Sequence, residues 1–561
     1  MSAHKTNLLE KLIHSLLESS FKKMLVYLIT FLIFAGSVYM IPTELVKAKM
    51  LPGKDSNTFS LYVDLPKDSS VAQIKEVTTC ISKLLMKEQD ILTSSVFLGE
   101  GQPLDFAGMV KGSAMKNGEN VAEMMINIKT SEHRVERSYN MIHRLRPIIQ
   151  DNCSLYGANI KFIELPSGPP VLASVVAEVY GGNSFENRKA FAEKIADVFK
   201  AQPTLVDIDV LADKKRNKYR LVLDNNRLLE SGVGIEQLKK MMYMAFEGHQ
   251  IGTINSDNAE NQIGIFVRLD DTRILNDDSK KAIEAKLKTL KVVNEMGIKI
   301  PMSRFISVKQ SAQSPSLTSK NLQSVINVIA ETDMESQIYP LLDSRTQMKK
   351  DFADQYEVTN ADMLNLAFKD KTTGELFEVK FDGELKVTID TFIDLGIAFI
   401  GALVLIYFLM VIYYKRFAIA GAILVASFLS IVGVIVGHYV MDLYTADTFY
   451  LTATSLIGFI GLIGINSRNS LLIIDFAVQL MNEKGLDANR AIAVATATRA
   501  KPILLTVLAI VFASSLLASD AVFGGLGVAL IGGTLFAYLV SLFFVPLAIQ
   551  NALKKIELEK E

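Results

Sequence analysis

The chain has 561 residues, 50% of them hydrophobic and 21% charged, with a formal net charge of −1. It is too oily for a wholly soluble protein and too charged for a wholly embedded one, and the near-neutral balance argues against a strongly basic nucleic-acid binder. Two cysteines and six scattered histidines, without CxxC, HxxxH or HExxH spacing, offer no metalloenzyme constellation.

In chain order, residues 1–21 include NLLEKLIHSLLESSF, an amphipathic segment expected to lie as a helix on the cytoplasmic membrane face. Residues 22–42 carry the first membrane helix, with an apolar run from Met24 to Ile41 that is long enough to cross and has no small-residue cleavage site after it.

A long polar region follows and repeats itself. FSLYVDL, VAQIKEVTTCISKLLMK and ILTSSVFL form a strand, helix and strand. VAEMMINIK, a helix over Arg137–Gln150, and NIKFIEL form a second such unit, and together they make a βαββαβ subdomain at 43–166. After the turn PSGPP another begins at 167–213 with VLASVVAEVYG, FENRKAFAEKIADVFKA and LVDIDVL. Its second part, 326–390, takes in the end of NLQSVINVIAE (321–331), a helix from Glu335 and LFEVKF; an insertion at 214–325 separates the two parts. Five more spans lie within 391–550, at about Leu395–Tyr414, Ala418–Val440, Thr448–Phe476, Pro502–Ala518 and Gly524–Ile549, before a tail at 551–561.

Lys22, Lys23, Lys415, Arg416, Arg490, Arg499, Lys501, Lys554 and Lys555 fall in or beside the loops of one side, whereas Asp442, Asp447 and Asp520 mark the other. The positive-inside rule then places both termini in the cytoplasm and 43–390 outside. Cys80 and Cys153 read either as unpaired thiols or as one bridge. His438, near the outer end of its span, reads as a solvated or interfacial histidine, and Asp475 as an interfacial residue at the cytoplasmic end.

Arg468 sits inside the oily run TSLIGFIGLIGINSRNSLLIIDF. A charge at that depth costs at least a few kcal/mol, so either it serves an ion or proton path or it snorkels to the headgroups.

The segments KMLPGKDSNTFSLYVDLPKDSS, GEGQPLDFAGMVKGSAMKNGENVAEMMINI, LPSGPPVLASVVAEVYG, DLGIAFIGALVLIYFLMV, the run around Arg468, and RAKPILLTVLAIV stand in this order along the chain. With them the chain closely resembles the C-terminal half of a resistance–nodulation–division (RND) efflux permease. The resemblance implies a membrane α-helical bundle of six spans plus an α+β periplasmic domain of ferredoxin-like (βαββαβ) porter subdomains, the second interrupted by a docking insertion. It implies a proton relay of Arg468, where many relatives have lysine, with Arg499 and Thr506 on the next span. These last two are two helical turns apart and point the same way. Arginine stays protonated, so it would act as a fixed counter-ion to a carboxylate pair that this chain lacks. In the loop Gly99–Glu119, Phe106 and Met109 are the expected substrate-pocket residues.

The expected function is therefore secondary active transport, without catalytic residues or cofactors, driven by the proton motive force. It would export amphiphilic compounds from the periplasm or inner membrane, as a bacterial inner-membrane, multi-pass protein. The partners implied are an N-terminal half subunit bearing the aspartate pair, a periplasmic adaptor protein, an outer-membrane channel and membrane lipid, in a trimer of half pairs. On its own the chain is not expected to transport. Export of Cu(I) or Ag(I) through methionines such as Met109, Met115, Met124, Met125, Met241, Met242 and Met244 is one alternative. Met124 and Met125, adjacent on a strand, would face opposite sides. A non-transporting membrane scaffold or sensor is another.

Overall fold

The computed structural model describes residues 8–67, 69–165, 168–213, 217–259, 262–269 and 279–558. The first seven residues of the amphipathic segment, the last three of the tail, Pro166 and Ser167 of the PSGPP turn, and parts of the 214–325 insertion lie outside them. The chain divides into two compact units, Met1–Leu211 with Ser319–Glu561, and Ala212–Thr318.

In the larger unit, β1 (Thr58–Asp64), β2 (Ile91–Glu100), β3 (Asn117–Ile128) and β4 (Asn159–Ile163) form one sheet in the order β2-β3-β1-β4. All three neighbouring pairs are antiparallel. Alternation along β3 sends Met124 into the core, fully buried, while Met125 lies on the opposite, part-exposed face, so the two do not share a site. Helices Val71–Leu85 and Ser138–Cys153 cover the sheet and bury Ile74, Val77, Ile81, Met141, Leu145 and Ile149 at helical spacing. The first of these helices is held at its start by a capping box between Ser70 and Gln73. The two helices are joined by the disulfide Cys80–Cys153, so the thiols are paired.

The second sheet contains β5 (Val175–Gly181), β6 (Leu205–Val210), β7 (Gln323–Thr332), β8 (Tyr356–Ala361), β9 (Asn365–Asp370) and β10 (Leu376–Asp382). Its core order is β10-β5-β7-β6, again with antiparallel neighbours. Helices Phe185–Lys200 and Ile338–Asp351 connect the strands. The hairpin β8-β9 extends the sheet beyond β10 and had no counterpart in the sequence reading. Its buried rings, Tyr356 and Phe368, pack around Phe191 with Phe352 and Phe377.

Six helices are long and apolar enough to cross a membrane among the described residues: Ser20–Tyr39, Glu384–Tyr414, Phe417–Tyr444, Ala453–Lys484, Ala488–Ala518 and Gly524–Leu558. They are called the first to sixth spans. The fifth begins fourteen residues before the expected Pro502, because Asp487 caps it and Pro502 is carried inside the helix. The third pauses at Leu429–Ser430, between Phe417–Phe428 and Ile431–Tyr444. Small residues let the third and sixth spans touch: a Cβ built on Gly433 would lie 2.2 Å from the Gly532 carbonyl oxygen. The helix Leu8–Glu18 does more than lie at an interface. It buries Ile13 and Leu17 in the bundle core, and Gln550 Nε2 donates to the Leu17 carbonyl.

In the smaller unit, Asn217–Leu223 pairs with Ile306–Ala312 over a core that includes Leu238, Leu287, Val292 and Phe305, and a hairpin is formed by His249–Ile254 and Ile263–Val267.

Candidate functional site: an intramembrane polar face and a cleft in the extramembrane domain

The fourth span starts at Ala453, where Thr452 and Ser455 form a reciprocal cap. At 100° per residue, Asn466, Ser467, Asn469 and Ser470 share the arc that packs on neighbouring spans, and all four are buried. Asn466 Nδ2 donates to the Ala426 carbonyl at 2.5 Å, and Ser467 lies 3.1 Å from Ser427, oxygen to oxygen. Asn469 and Ser470 have no side-chain hydrogen-bond partner among the described residues, and neither has Ser541 on the π-turn Val540–Phe544 of the sixth span. π-Turns inside α-helices are frequent at functional sites. No feature of the sequence reading had signalled this one.

Arg468 lies between those buried residues in sequence and opposite them in space. It is exposed, with no ion pair or hydrogen bond among the described residues, midway along a 32-residue helix. The guanidinium therefore faces away from the bundle formed by these six spans. Snorkelling would have to bridge several helical turns.

Arg499 is half-buried on the fifth span. Its guanidinium lies 4.6 Å from the centre of the Phe476 ring, and its Nε is buried without a hydrogen-bond partner. Thr506 is exposed two turns further on, and its hydroxyl donates back to the Ile503 carbonyl at 2.7 Å. The fourth and fifth spans pack through Ile473, Ile503 and Val507. Arg468, Arg499 and Thr506 thus lie on two adjoining spans, but no hydrogen bond joins them among the described residues. Asp475 accepts a 2.8 Å hydrogen bond from the Tyr414 hydroxyl and lines an open cavity with Tyr413 and Glu483.

His438 departs from the expectation of a solvated ring. It is fully buried; its Nδ1–H donates to the Val434 carbonyl and its Nε2 accepts from Ser455 Oγ, each at 2.8 Å. The imidazole fits because Ser455, at the capped start of the next span, supplies the one donor a neutral ring requires.

Outside the membrane, the loop bearing Phe106 and Met109 exposes both side chains, by 47% and 64%. Its base is knitted together. Asp105 accepts from the Gly108 amide at 2.6 Å and from Gln102 Nε2 at 3.0 Å, while buried Glu123 accepts from the Gln102 amide and the Ser113 hydroxyl. Lys111 reaches from the loop to Glu331 on β7 at 2.5 Å and to the Leu172 carbonyl at 3.0 Å.

Below the loop, between the two sheets, is a cavity of about 110 Å³ lined by Ala107 and Lys111 of the loop, by Phe162, Glu164 and Glu331, and by Glu384 at the start of the second span. Ion pairs fasten its walls: Arg146 to Asp207, both nearly fully buried, and Lys161 to Asp64 and Asp209. Burial would push the Glu331 carboxyl up, but Lys111 and two hydrogen bonds from Ser174 prevail and hold it below the usual range. Glu164 has no such donors. Burial outweighs the attraction of Arg146 and Lys49 and pushes it up to about 7.

A family profile described as the AcrB/AcrD/AcrF family matches residues 1–549. The swarming motility protein SwrC of Bacillus subtilis is 23% identical over 531 residues, covering 94% of this chain and 45% of that protein. The multidrug resistance protein MdtC of Proteus mirabilis is 23% identical over 505 residues, covering 88% and 44%. The crystal structure of a heavy metal efflux pump superposes with a TM-score of 0.71 at 15% identity, over 97% of this chain and 51% of that one. The chain spans about half the length of the curated relatives it matches.

Proposed function

The chain belongs to the AcrB/AcrD/AcrF family of RND permeases, and from that membership we propose that it supplies the C-terminal-type half of a proton-driven efflux pump. The observation that carries the proposal is Arg468: a guanidinium exposed midway along a span, turned away from its own bundle. Leaving it against lipid costs several kcal/mol, so a further membrane segment bearing carboxylates is required to cover it. Arg468 then holds those carboxylates ionised; when protons neutralise them the ion pair is released and the helices repack. Arg499, stacked on Phe476 with a free Nε, is the second cation of that relay. Thr506 contributes a hydroxyl that can turn from its own helix to the released group.

In this reading the two sheets are ferredoxin-like porter subdomains and Ala212–Thr318 is the docking insertion. The porter lies in the periplasm, both termini are cytoplasmic, and the loop with Phe106 and Met109 guides an amphiphilic substrate. A disulfide between Cys80 and Cys153 supports an oxidising compartment for this domain. Family membership supports a trimer with a periplasmic adaptor and an outer-membrane channel.

The test is purification of the chain from its native membrane, with mass spectrometry of what accompanies it and drug export measured in cells carrying Arg468→Ala. Recovery of a membrane segment with paired aspartates and loss of export in the variant support the pump. A chain that comes without such a segment and a variant that exports normally overturn it in favour of a scaffold.

A further inference from the structure

At the end of the bundle where the second span turns into the third, a cavity of about 530 Å³ opens to the surface. The second span stops at Tyr414, Lys415 takes a left-handed turn, and the third span starts at Phe417. The rings of Tyr413 and Tyr414 meet edge-on with centres 5.0 Å apart at the cavity wall, which Ile419, Val478 and Ile556 complete with apolar surface. Tyrosines beside a short turn between two spans mark the headgroup layer of a membrane. Asp475 is level with Tyr414, and the fourth span runs on from it to Lys484, more than two turns further. Its last carboxylates, Asp475 and Glu483, therefore stand at that layer and just beyond it.

Both carboxylates line the cavity, and neither forms an ion pair among the described residues. Asp475 accepts the Tyr414 hydroxyl at 2.8 Å, and Glu483 accepts from Gln479 Nε2 at 3.0 and 3.1 Å. These neutral donors leave two negative charges uncompensated. A carboxylate at the edge of the hydrocarbon is costly without a cation, and Asp lacks the long stem by which Lys and Arg reach water. A positive charge stands next to them along the chain: Lys415 follows the two tyrosines, is exposed, and forms no ion pair among the described residues. The site thus combines two carboxylates, aromatic faces, an apolar wall and an adjoining cation. Aromatic faces beside carboxylates favour an ammonium group, and an ammonium donates its N–H groups strongly to ionised oxygens.

We propose that this cavity binds the headgroup of a phospholipid that carries a primary amine, of the phosphatidylethanolamine class. Its ammonium lies between Asp475 and Glu483 against the tyrosine rings, its phosphate meets Lys415, and its glycerol and first methylenes rest on Ile419, Val478 and Ile556. A phospholipid is the occupant because it surrounds the spans at this level and because its zwitterion matches both signs of charge. A choline head is disfavoured, since a quaternary ammonium has no N–H to donate to the carboxylates. A glycerol head brings no cation and leaves both acids unpaired. The inference stands apart from the efflux reading, as it requires only that these spans lie in a bilayer. Seated there, the lipid bridges the ends of the second and fourth spans and tethers the helix that carries Arg468, seven residues before Asp475.

The test is native mass spectrometry of the full-length chain, purified with whatever accompanies it and exposed to an equimolar mixture of phosphatidylethanolamine, phosphatidylcholine and phosphatidylglycerol with identical acyl chains. Wild type is expected to retain one phosphatidylethanolamine about fivefold or more in preference to either other lipid. Asp475→Asn and Glu483→Gln should each reduce that preference by roughly two- to fivefold, as ion pairs at a wet interface are screened, and the double variant should lose it. Lys415→Gln should lower retention of all three lipids alike, because each has a phosphate. All these side chains are exposed or at the cavity, the substitutions are close in size, and an unshifted thermal transition reports folding. Equal retention of the three lipids by wild type, or a preference unchanged in the double variant, overturns the site. A soluble polyamine retained in place of lipid overturns the phospholipid assignment. Export is read separately in cells, so a chain that selects phosphatidylethanolamine but exports nothing refutes the pump and leaves the site standing.

Discussion

Removing the Cys80–Cys153 bridge should cost the first sheet subdomain much of its stability. The two cysteines are 73 positions apart and join the two helices that cover β1–β4. Loop-closure entropy for a loop of that length gives about 4 kcal/mol of stabilisation lost when the bridge is absent. That is a large part of the 5–15 kcal/mol typical of a whole domain. Cys153 is fully buried and Ser is similar in size to Cys, so a Cys80→Ser/Cys153→Ser pair leaves little cavity and mainly removes the tether. Urea unfolding followed by limited proteolysis of residues 58–163 should show an earlier transition in the double variant and in reduced wild type, by similar amounts. The same residues report compartment. Alkylation of intact cells before lysis, under non-reducing conditions, should leave both sulfurs unlabelled, because bridges persist on the oxidising side of a membrane. Two alkylated thiols in protein taken directly from cells would refute the outer placement of this domain. An unchanged urea transition would refute the energetic argument.

Other substitutions test other parts of the structure. Asp207→Ala strands the buried Arg146 guanidinium and should destabilise by about 3–5 kcal/mol, read as a lowered urea midpoint. Gly433→Ala drives a methyl into the Gly532 carbonyl and should cost about 1–3 kcal/mol, seen as lower detergent thermostability, whereas Gly461→Ala, with open space around it, should be neutral. Glu164 is raised to about 7 from an ordinary 4.5, so folding favours its protonated form. Its effect on stability is favourable at low pH and fades as pH rises from about 4.5 through 7. The urea midpoint should therefore fall between pH 5 and 8 by more in wild type than in Glu164→Gln; equal slopes would count against Glu164 as the titrating group.

How much of this was legible in the sequence depended on period and context. The strands FSLYVDL and VAEMMINIK announced themselves by alternation, and the structure pairs them in register, Leu61 opposite Met124. The hairpin Tyr356–Ala361 and Asn365–Asp370 escaped because most of its outward side chains are polar and its buried rings pair across the sheet. Span ends were misjudged where polar residues continue the helix beyond the oily run, as from Asp487 to Lys501 before Pro502. Arg468 was legible as an anomaly, because a lone charge in an apolar run has few cheap explanations. Its direction was not, since facing depends on which neighbours a helix packs against. His438 read as interfacial from its place along the span; only the cap at Ser455, on the next helix, shows how a neutral imidazole is satisfied in the interior. Glu164 and Glu384 were invisible as a pair, being more than two hundred residues apart and joined only by the folding of the cleft.

The start of the fourth span explains how an event at Arg468 would reach that cleft. The segment after the first span runs alongside the residues that open the fourth: Lys49 donates its amide to the Leu451 carbonyl, Leu451 to Lys47, and Ala453 to Met50. The same segment is pinned to the second sheet subdomain, with Lys47 paired to Glu335 at 2.6 Å and the Ala48 amide bonded to the Tyr339 hydroxyl at 2.9 Å. Just upstream, Asp447 is held by Arg137, Tyr139 and Asn140, which belong to the first subdomain. The entry to the Arg468 helix is therefore tied to both walls of the cavity. Except for the exposed Arg137–Asp447 pair, these ties are part-buried or backbone bonds, so they are screened less than exposed ion pairs would be. A stiff helix moved along its axis by release of an ion pair at its middle cannot leave both ties unchanged. In the proposed cycle one subdomain would follow, and the cavity lined by Glu164 and Glu384 would widen or narrow. Coupling of this kind requires two arrangements of the Lys47–Glu335 and Arg137–Asp447 contacts, and the physical content of the proposed cycle lies in which of them protonation favours.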